Sequence, residues 1–165
     1  MRMTVYSAQS YDERFLNEAF DTLPDAHSVQ RNYQKARLTA ETVALAEGAV
    51  AVCVFVNDVL SADVLQALST RGVKVVLLRC AGFNNVDLAM AKRLGFFVAR
   101  VPSYSPEAVA EHTLALVMTL NRHTHRAYLR VREGNFMLEG LLGSTLHGKT
   151  IGIIGIGKIG LAVAR

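Results

Sequence analysis

Residues 49–56, Ala-Val-Ala-Val-Cys-Val-Phe-Val, form an unbroken apolar run rich in β-branched side chains. The run lacks the polar alternation of a strand with one wet face, so it predicts a strand covered on both sides. A parallel sheet layered between helices provides that environment. The rest of the first hundred residues supplies matching pieces. Residues 4–7 read as a first strand, a helix follows near 12–20, and residues 27–33 alternate weakly as a second strand. Thr39 is placed to cap a helix over 40–47 that stops at Gly48. Ser61 caps a helix over 62–70 that ends at Gly72, and 73–78 is another strand, apolar except for Lys74. Asn85 or Asp87 opens a short helix to Leu94, Gly95 follows it, and 96–101 is the last strand of the series. Strands separated by helices of about ten residues imply right-handed βαβ units. The expected fold class is therefore α/β, a flavodoxin-like doubly wound parallel sheet. Ligands of such sheets lie beyond the carboxyl ends of the strands. That rule directs attention to the loops at 56–58, 79–83 and 102–105.

Composition narrows the function classes. The 165 residues are 51% hydrophobic and 19% charged, which supports a buried core and excludes a disordered chain. No apolar stretch approaches the roughly 18 residues of a membrane-spanning helix, and residues 1–7 lack the apolar core of a secretory signal. No membrane role is expected. Cys53 and Cys80 form neither a disulfide framework nor a metal-ligand spacing, so no metal is expected and a reducing cytoplasm suits the chain. The net charge is +4, and many of the basic residues fall together as Arg122, His123, His125, Arg126, Arg130 and Arg132. Such a cluster reads either as a nucleic-acid patch or as a solvated helix face or oligomer contact. Only Tyr128 and Phe136 interleave it and no lysine joins it, so the second reading is preferred and no nucleic-acid partner is expected.

The chain changes character after Val101. Ser105-Pro106-Glu107 combines a cap, a proline at the first helical position and an acid in the first turn. The helix it opens, to about Arg122, carries Val109, Leu114, Leu116, Val117 and Leu120. It is apolar most of the way round and is expected to be buried between bodies. A polar, basic stretch runs to Gly134, a loop spans 140–148, and a fresh strand is expected at 150–155. Gly155, Gly157 and Gly160 then form G-x-G-x-x-G between that strand and a helix-like 161–165. Gly155 would permit the tight turn, Gly157 the approach of a pyrophosphate, and Gly160 close packing of helix on strand. Glycine-rich turns also simply make turns; the strand before and helix after favour a dinucleotide site, the start of a Rossmann domain. Lys158 is followed by Ile159 and no Ser or Thr, so this is not a Walker loop. The acidic residue that separates NAD from NADP is expected about 20 positions beyond the motif.

Three segments together carry a family resemblance: Leu-Arg-Cys-Ala-Gly-Phe-Asn-Asn-Val-Asp-Leu at 78–88, Arg-Val-Pro-Ser-Tyr-Ser-Pro-Glu-Ala-Val-Ala-Glu-His at 100–112, and the glycine turn. The chain resembles the D-isomer-specific 2-hydroxyacid dehydrogenases, and within them the NAD-dependent, fermentative subgroup that interconverts pyruvate and D-lactate. Residues 52–58 and 119–128 fit that subgroup too. The resemblance spans essentially the whole chain, and its first two segments are more specific than the glycine turn.

The resemblance implies roles residue by residue. Backbone amides at Ala81 and Gly82 would bind the substrate carboxylate and Tyr104 would line the substrate pocket, although between two prolines it is also simply a turn aromatic. Gly155, Gly157, Lys158, Ile159 and Gly160 would hold the cofactor, NAD. Arg79 reads as a strand-end charge that pairs locally or reaches solvent. The family's arginine, glutamate and histidine lie downstream of the glycine turn, so no catalytic residue is assigned here. Glu111 and His112 are read as helix packing. The implied division is a substrate domain over 1–101, an interdomain helix and oligomerisation arm over 102–146, and the truncated start of the NAD-binding domain over 147–165. The arm from 123 to 146 would wrap a second subunit, and the strand at 150–155 would be ordered only by protein outside this chain. A bulkier 2-oxo acid as substrate, or a non-catalytic dimerisation fragment, are the alternatives.

Overall fold

The apolar run at 49–56 becomes β3 (Ala51–Val54), all four of whose residues are buried. The computed structural model describes residues 1–25 and 28–165. β3 is the centre of a five-stranded sheet with β1 (Arg2–Val5), β2 (Gln30–Tyr33), β4 (Val75–Leu78) and β5 (Phe97–Arg100), in the order β2-β1-β3-β4-β5. Every pairing is parallel, with Val52 opposite Thr4 on one side and Val76 on the other. This is the expected flavodoxin-like order. The second strand begins at Gln30; His27 lies outside the described residues.

Alternation along β3 sorts the core into two layers. Val52 and Val54 join Leu65 and Leu68 of α2 (Ala62–Thr70) and Ala91 of α3 (Leu88–Arg93). Ala51 and Cys53 point the other way, to a layer with Met3 and Val5 against Leu16 and Phe20 of α1 (Ser10–Asp21). Side chains of a strand face opposite sides of its sheet, so one uninterrupted apolar run serves both layers. Asp87 caps α3 by accepting from the Met90 amide at 2.9 Å. Asn85 is released for another use.

The helix expected over 40–47 is not formed. Only a single 3₁₀ turn, Val43–Ala46, is present. The Thr42 hydroxyl accepts from the Thr39 amide and donates to the Arg37 carbonyl, and the Glu41 amide donates to the Thr39 hydroxyl. These local bonds offer the backbone an alternative to the helical ladder.

Met1–Pro102 and Ser103–Arg165 are two separate units. The second holds α4 (Pro106–Arg122), α5 (Thr124–Arg132) and α6 (Lys158–Ala164). Ser105 caps α4 through the Ala108 amide with Pro106 following, as the sequence dictates. His123, left-handed at φ 53°, turns the chain from α4 into α5. The Asn121 carboxamide donates to the Ser144 carbonyl and accepts from its amide, pinning the irregular 140–148 segment to the end of α4.

One expectation is corrected in this unit. Only Ala110 of α4 is buried, and Leu114, Leu116, Met118 and Leu120 are exposed. Within 103–165 α6 is the main helix lying against it, and one short helix cannot enclose an all-round apolar surface. Residues 150–155, expected as a strand ordered only by protein outside this chain, pair with none of the described residues. A strand needs a neighbouring ladder for its amides and carbonyls, and every ladder among the described residues belongs to the first unit.

Tyr6, fully buried just beyond β1, donates its phenol to the Thr42 carbonyl at 3.1 Å. Burial, reinforced by the Asp58 carboxylate, pushes its ionisation up to about 12. The unfolded phenol ionises near 10, so Tyr6 stabilises the fold below pH ~10 and that contribution is lost as pH rises toward ~12. Urea titrations over this range should show a steeper alkaline loss of stability in the wild type than in Tyr6→Phe.

Candidate functional site

The carboxyl ends of β1, β3 and β4 are joined by a polar brace. Its centre is Asp58, a buried carboxylate four residues past β3. Asp58 Oδ1 accepts from the Ser7 hydroxyl at 2.7 Å and the Leu38 amide at 2.8 Å, and Oδ2 accepts from the Phe55 amide at 2.6 Å. Such charge-assisted bonds are among the stronger ones a protein makes. Ser7 is held with φ at 51°, a left-handed conformation uncommon for a residue with a Cβ.

Two side chains extend the brace to β4. Asn85 Nδ2 donates to the carbonyls of Phe55 at 3.1 Å and Asp58 at 2.9 Å. Arg79, at the end of β4, sends Nε to Asp12 Oδ1 at 3.1 Å, Nη1 to the Tyr6 carbonyl at 2.9 Å and Nη2 to the Ser7 carbonyl at 2.8 Å. Its guanidinium also lies over the Phe55 ring, 5.1 Å from the centroid. The expected local pairing of Arg79 is what the structure contains.

The segment immediately after Arg79 carries the predicted Ala81 and Gly82. Arg100 Nη1 donates to the Ala81 carbonyl at 2.8 Å, and the Cys80 thiol lies 3.3 Å from the Gly82 carbonyl. Both carbonyls are thus turned toward partners. Among the described residues neither the Ala81 nor the Gly82 amide donates to a protein group. Adjacent free amides at a strand's carboxyl end suit a carboxylate. Burial raises the pKa of the Cys80 and Cys53 thiols, so neither is poised as a nucleophile.

The remaining predicted residues belong to the second unit. Tyr104 is exposed (71%), one residue before the cap of α4. Gly155 adopts φ 94°, Gly157 is the extended cap residue of α6, and Lys158 and Ile159 are its first two residues. α6 starts three residues earlier than expected because the Leu161 amide closes on the Gly157 carbonyl at 2.9 Å. A Cβ on Gly160 would overlap the Gly155 carbonyl oxygen, so the chain can fold back on itself here only as glycine. The turn opens beside a cleft of about 640 Å³ that Thr113 and Val117 of α4 also line. Sequence assigns no role to Asp58 or Arg100, and to Asn85 only that of a candidate helix cap. Asp58 falls in the loop that the strand-end rule selected, but nothing in a linear sequence marks an aspartate as buried.

Residues 3–150 match the model of the D-isomer specific 2-hydroxyacid dehydrogenase catalytic domain. The chain belongs to this family. It is 58% identical over its full length to a D-lactate dehydrogenase of Curvularia clavata, covering 47% of that protein. The apo-structure of D-lactate dehydrogenase from Escherichia coli superposes with a TM-score of 0.90 at 51% identity, over 99% of this chain and 50% of that one. A D-lactate dehydrogenase from Aquifex aeolicus complexed with NAD and lactic acid gives a TM-score of 0.75 at 31% identity, over 98% and 46%. The chain spans about half the length of the family members it matches. No helix among the described residues is long and apolar enough to cross a membrane.

Asp58→Asn should test the brace. The substitution keeps the shape but sets a carboxamide NH₂ against groups that are themselves donors, so it should cost about 2–4 kcal/mol of stability. Chemical denaturation of the variant beside the wild type reads that loss directly.

Proposed function

We propose that the whole protein to which this chain belongs is an NAD-dependent oxidoreductase interconverting pyruvate and D-lactate. The observation that carries this reading is the pair of adjacent free amides at Ala81 and Gly82, braced by Arg79 and Arg100 at the carboxyl end of a parallel sheet. Two neighbouring N–H donors match the two oxygens of a carboxylate, and neither carbonyl of the pair faces the site to repel it. The likeness to D-lactate dehydrogenases, one of them solved with NAD and lactic acid, supports the substrate class. Tyr104, with an exposed phenol that both donates and accepts, is assigned to the wall of the substrate pocket.

The glycine turn fits a dinucleotide. Gly157 leaves the backbone bare at the start of α6, and Gly160 lets the turn close against Gly155. When bound, NAD supplies the hydride acceptor or donor. The chain's own residues would do the holding: Gly155, Gly157 and Gly160 shape the turn, and the amides of Lys158 and Ile159 would bind the pyrophosphate. Residues 1–101 then act as substrate domain, 102–146 as interdomain helix and arm, and 147–165 as the opening of the cofactor domain. Exposed Tyr128, Leu129, Phe136, Met137, Leu138 and Leu142 suit the arm to a subunit contact in a homo-oligomer. Two free, buried cysteines suit a cytoplasmic location.

The test is NADH oxidation by the full-length protein. Turnover is expected with pyruvate, with a higher kcat/KM than for 2-oxoisocaproate; the reverse ratio would assign a bulkier substrate, and no turnover with any 2-oxo acid would end the proposal. The 165-residue chain alone is expected to give no turnover. Gly160→Ala in the full-length enzyme should raise the KM for NADH about tenfold or more, since the added methyl displaces the turn. Its KM for pyruvate should change far less.

A further inference from the structure

We infer that Arg79 is a positioning residue for the carboxylate of the 2-oxo acid, acting through the backbone that presents the Ala81 and Gly82 amides. The inference rests on the proposed substrate class. Arg79 stands two residues before Ala81, and its own amide is fixed to the Val54 carbonyl at 3.1 Å. Its side chain reaches away from the site. All three of its donor nitrogens are engaged, on Asp12, Tyr6 and Ser7, and the pair with Asp12 is largely withdrawn from solvent, at 14% and 13% exposure. Three of its five N–H groups are thus committed to the brace, and little of the side chain is exposed to meet substrate.

What it does hold is the relation between three strand ends. Asp12 Oδ2 also accepts from the Gln9 amide at 2.9 Å, so the ion pair ties β4 to the first turn of α1. The two carbonyl contacts tie β4 to the residues after β1, where Ser7 is simultaneously bonded to Asp58. Phe55, under the guanidinium plane, brings in the end of β3. A planar, forked cation fits this arrangement; a lysine ammonium offers donors on one nitrogen and cannot span acceptors on three residues. With Arg79 removed, two partly buried carbonyls and a carboxylate lose their partner and the Cys80–Gly82 segment loses its anchor. A displacement of the order of an ångström weakens a two-point contact.

The experiment compares full-length wild type with Arg79→Met, Arg79→Lys and Asp12→Asn, measuring KM for pyruvate and for NADH separately, together with Tm. Arg79→Met should raise the KM for pyruvate about tenfold and Arg79→Lys about threefold to fivefold, with the KM for NADH within about twofold of wild type. A merely structural role would lower Tm and the active fraction without separating the two KM values. Should Arg79→Met fail to fold, Arg79→Lys carries the same comparison. Asp12→Asn retains an acceptor for Nε but sets its NH₂ against the Gln9 amide, so it should raise the KM for pyruvate by about twofold to fivefold, less than Arg79→Met does. A fall in that KM would mean that the freed charge acts on the substrate itself, and would overturn the positioning role. So would a pyruvate KM in Arg79→Lys equal to that of wild type. Wild type inactive on every 2-oxo acid would instead overturn the proposed function and this inference with it.

Discussion

One buried carboxylate sets the geometry of the carboxyl end of this sheet. Asp58 is surrounded by donors from three stretches of chain, Ser7 after β1, Leu38 before the 3₁₀ turn, and Phe55 directly after β3. A parallel sheet buries its strands on both faces and leaves their ends to loops that share no ladder. Those loops need a common acceptor if they are to have one conformation. An ionised group withdrawn from water is costly unless its lone pairs are filled, and here three donors fill them. The cost of burying the charge is thereby converted into a demand that all three loops be in place at once. Ser7 keeps its left-handed backbone because that demand is met nowhere else.

The remaining cross-braces build outward from this point. Asn85 spends its donors on the two carbonyls flanking the Asp58 turn, and Arg79 reaches the two carbonyls flanking the β1 turn. Both belong to the segment that also contains Ala81 and Gly82. The Arg79 and Asn85 side chains there fix neighbouring loops, and the Ala81 and Gly82 amides are left without a protein partner among the described residues. The division of labour explains how a loop with small residues at its tip can be well positioned. Its rigidity comes from the longer residues on either side.

The layered sheet was legible because its signal is local and strong: the 49–56 run, the mostly apolar 73–78 run and the punctuation at Gly72 and Gly95 each act within a few residues. The α4 start was legible for the same reason, since Ser105, Pro106 and Glu107 settle it among themselves. Thr39 misled because a threonine can serve a cap or a turn, and the second threonine at 42 tips it to the turn. The segment at 150–155 has strand composition, yet composition does not supply a neighbour to pair with. Of the site, Ala81 and Gly82 were named from their motif, while Asp58 and Asn85 were not given their roles. Apart from the nearby Phe55 amide, their bonds connect residues 20 to 51 positions apart, a separation no periodicity encodes.

The Asn85 carboxamide has a consequence for binding thermodynamics. Its two bonds tie this segment to the turn at 55–58, and just beyond it the isolated Leu60–Val86 bridge and the Asp87 amide on the Leu60 carbonyl hold the chain again. The segment that carries the Ala81 and Gly82 amides is therefore anchored on both sides, at Arg79 and at Asn85. Ordering a loop on association typically subtracts from affinity, by roughly 0.5–1.5 kcal/mol for each side chain immobilised. Here that entropy is surrendered during folding, before any anion arrives. An anion docking on this half of the site would meet a surface already in its bound form, and its net enthalpy of contact would be little eroded by compensating loss of motion.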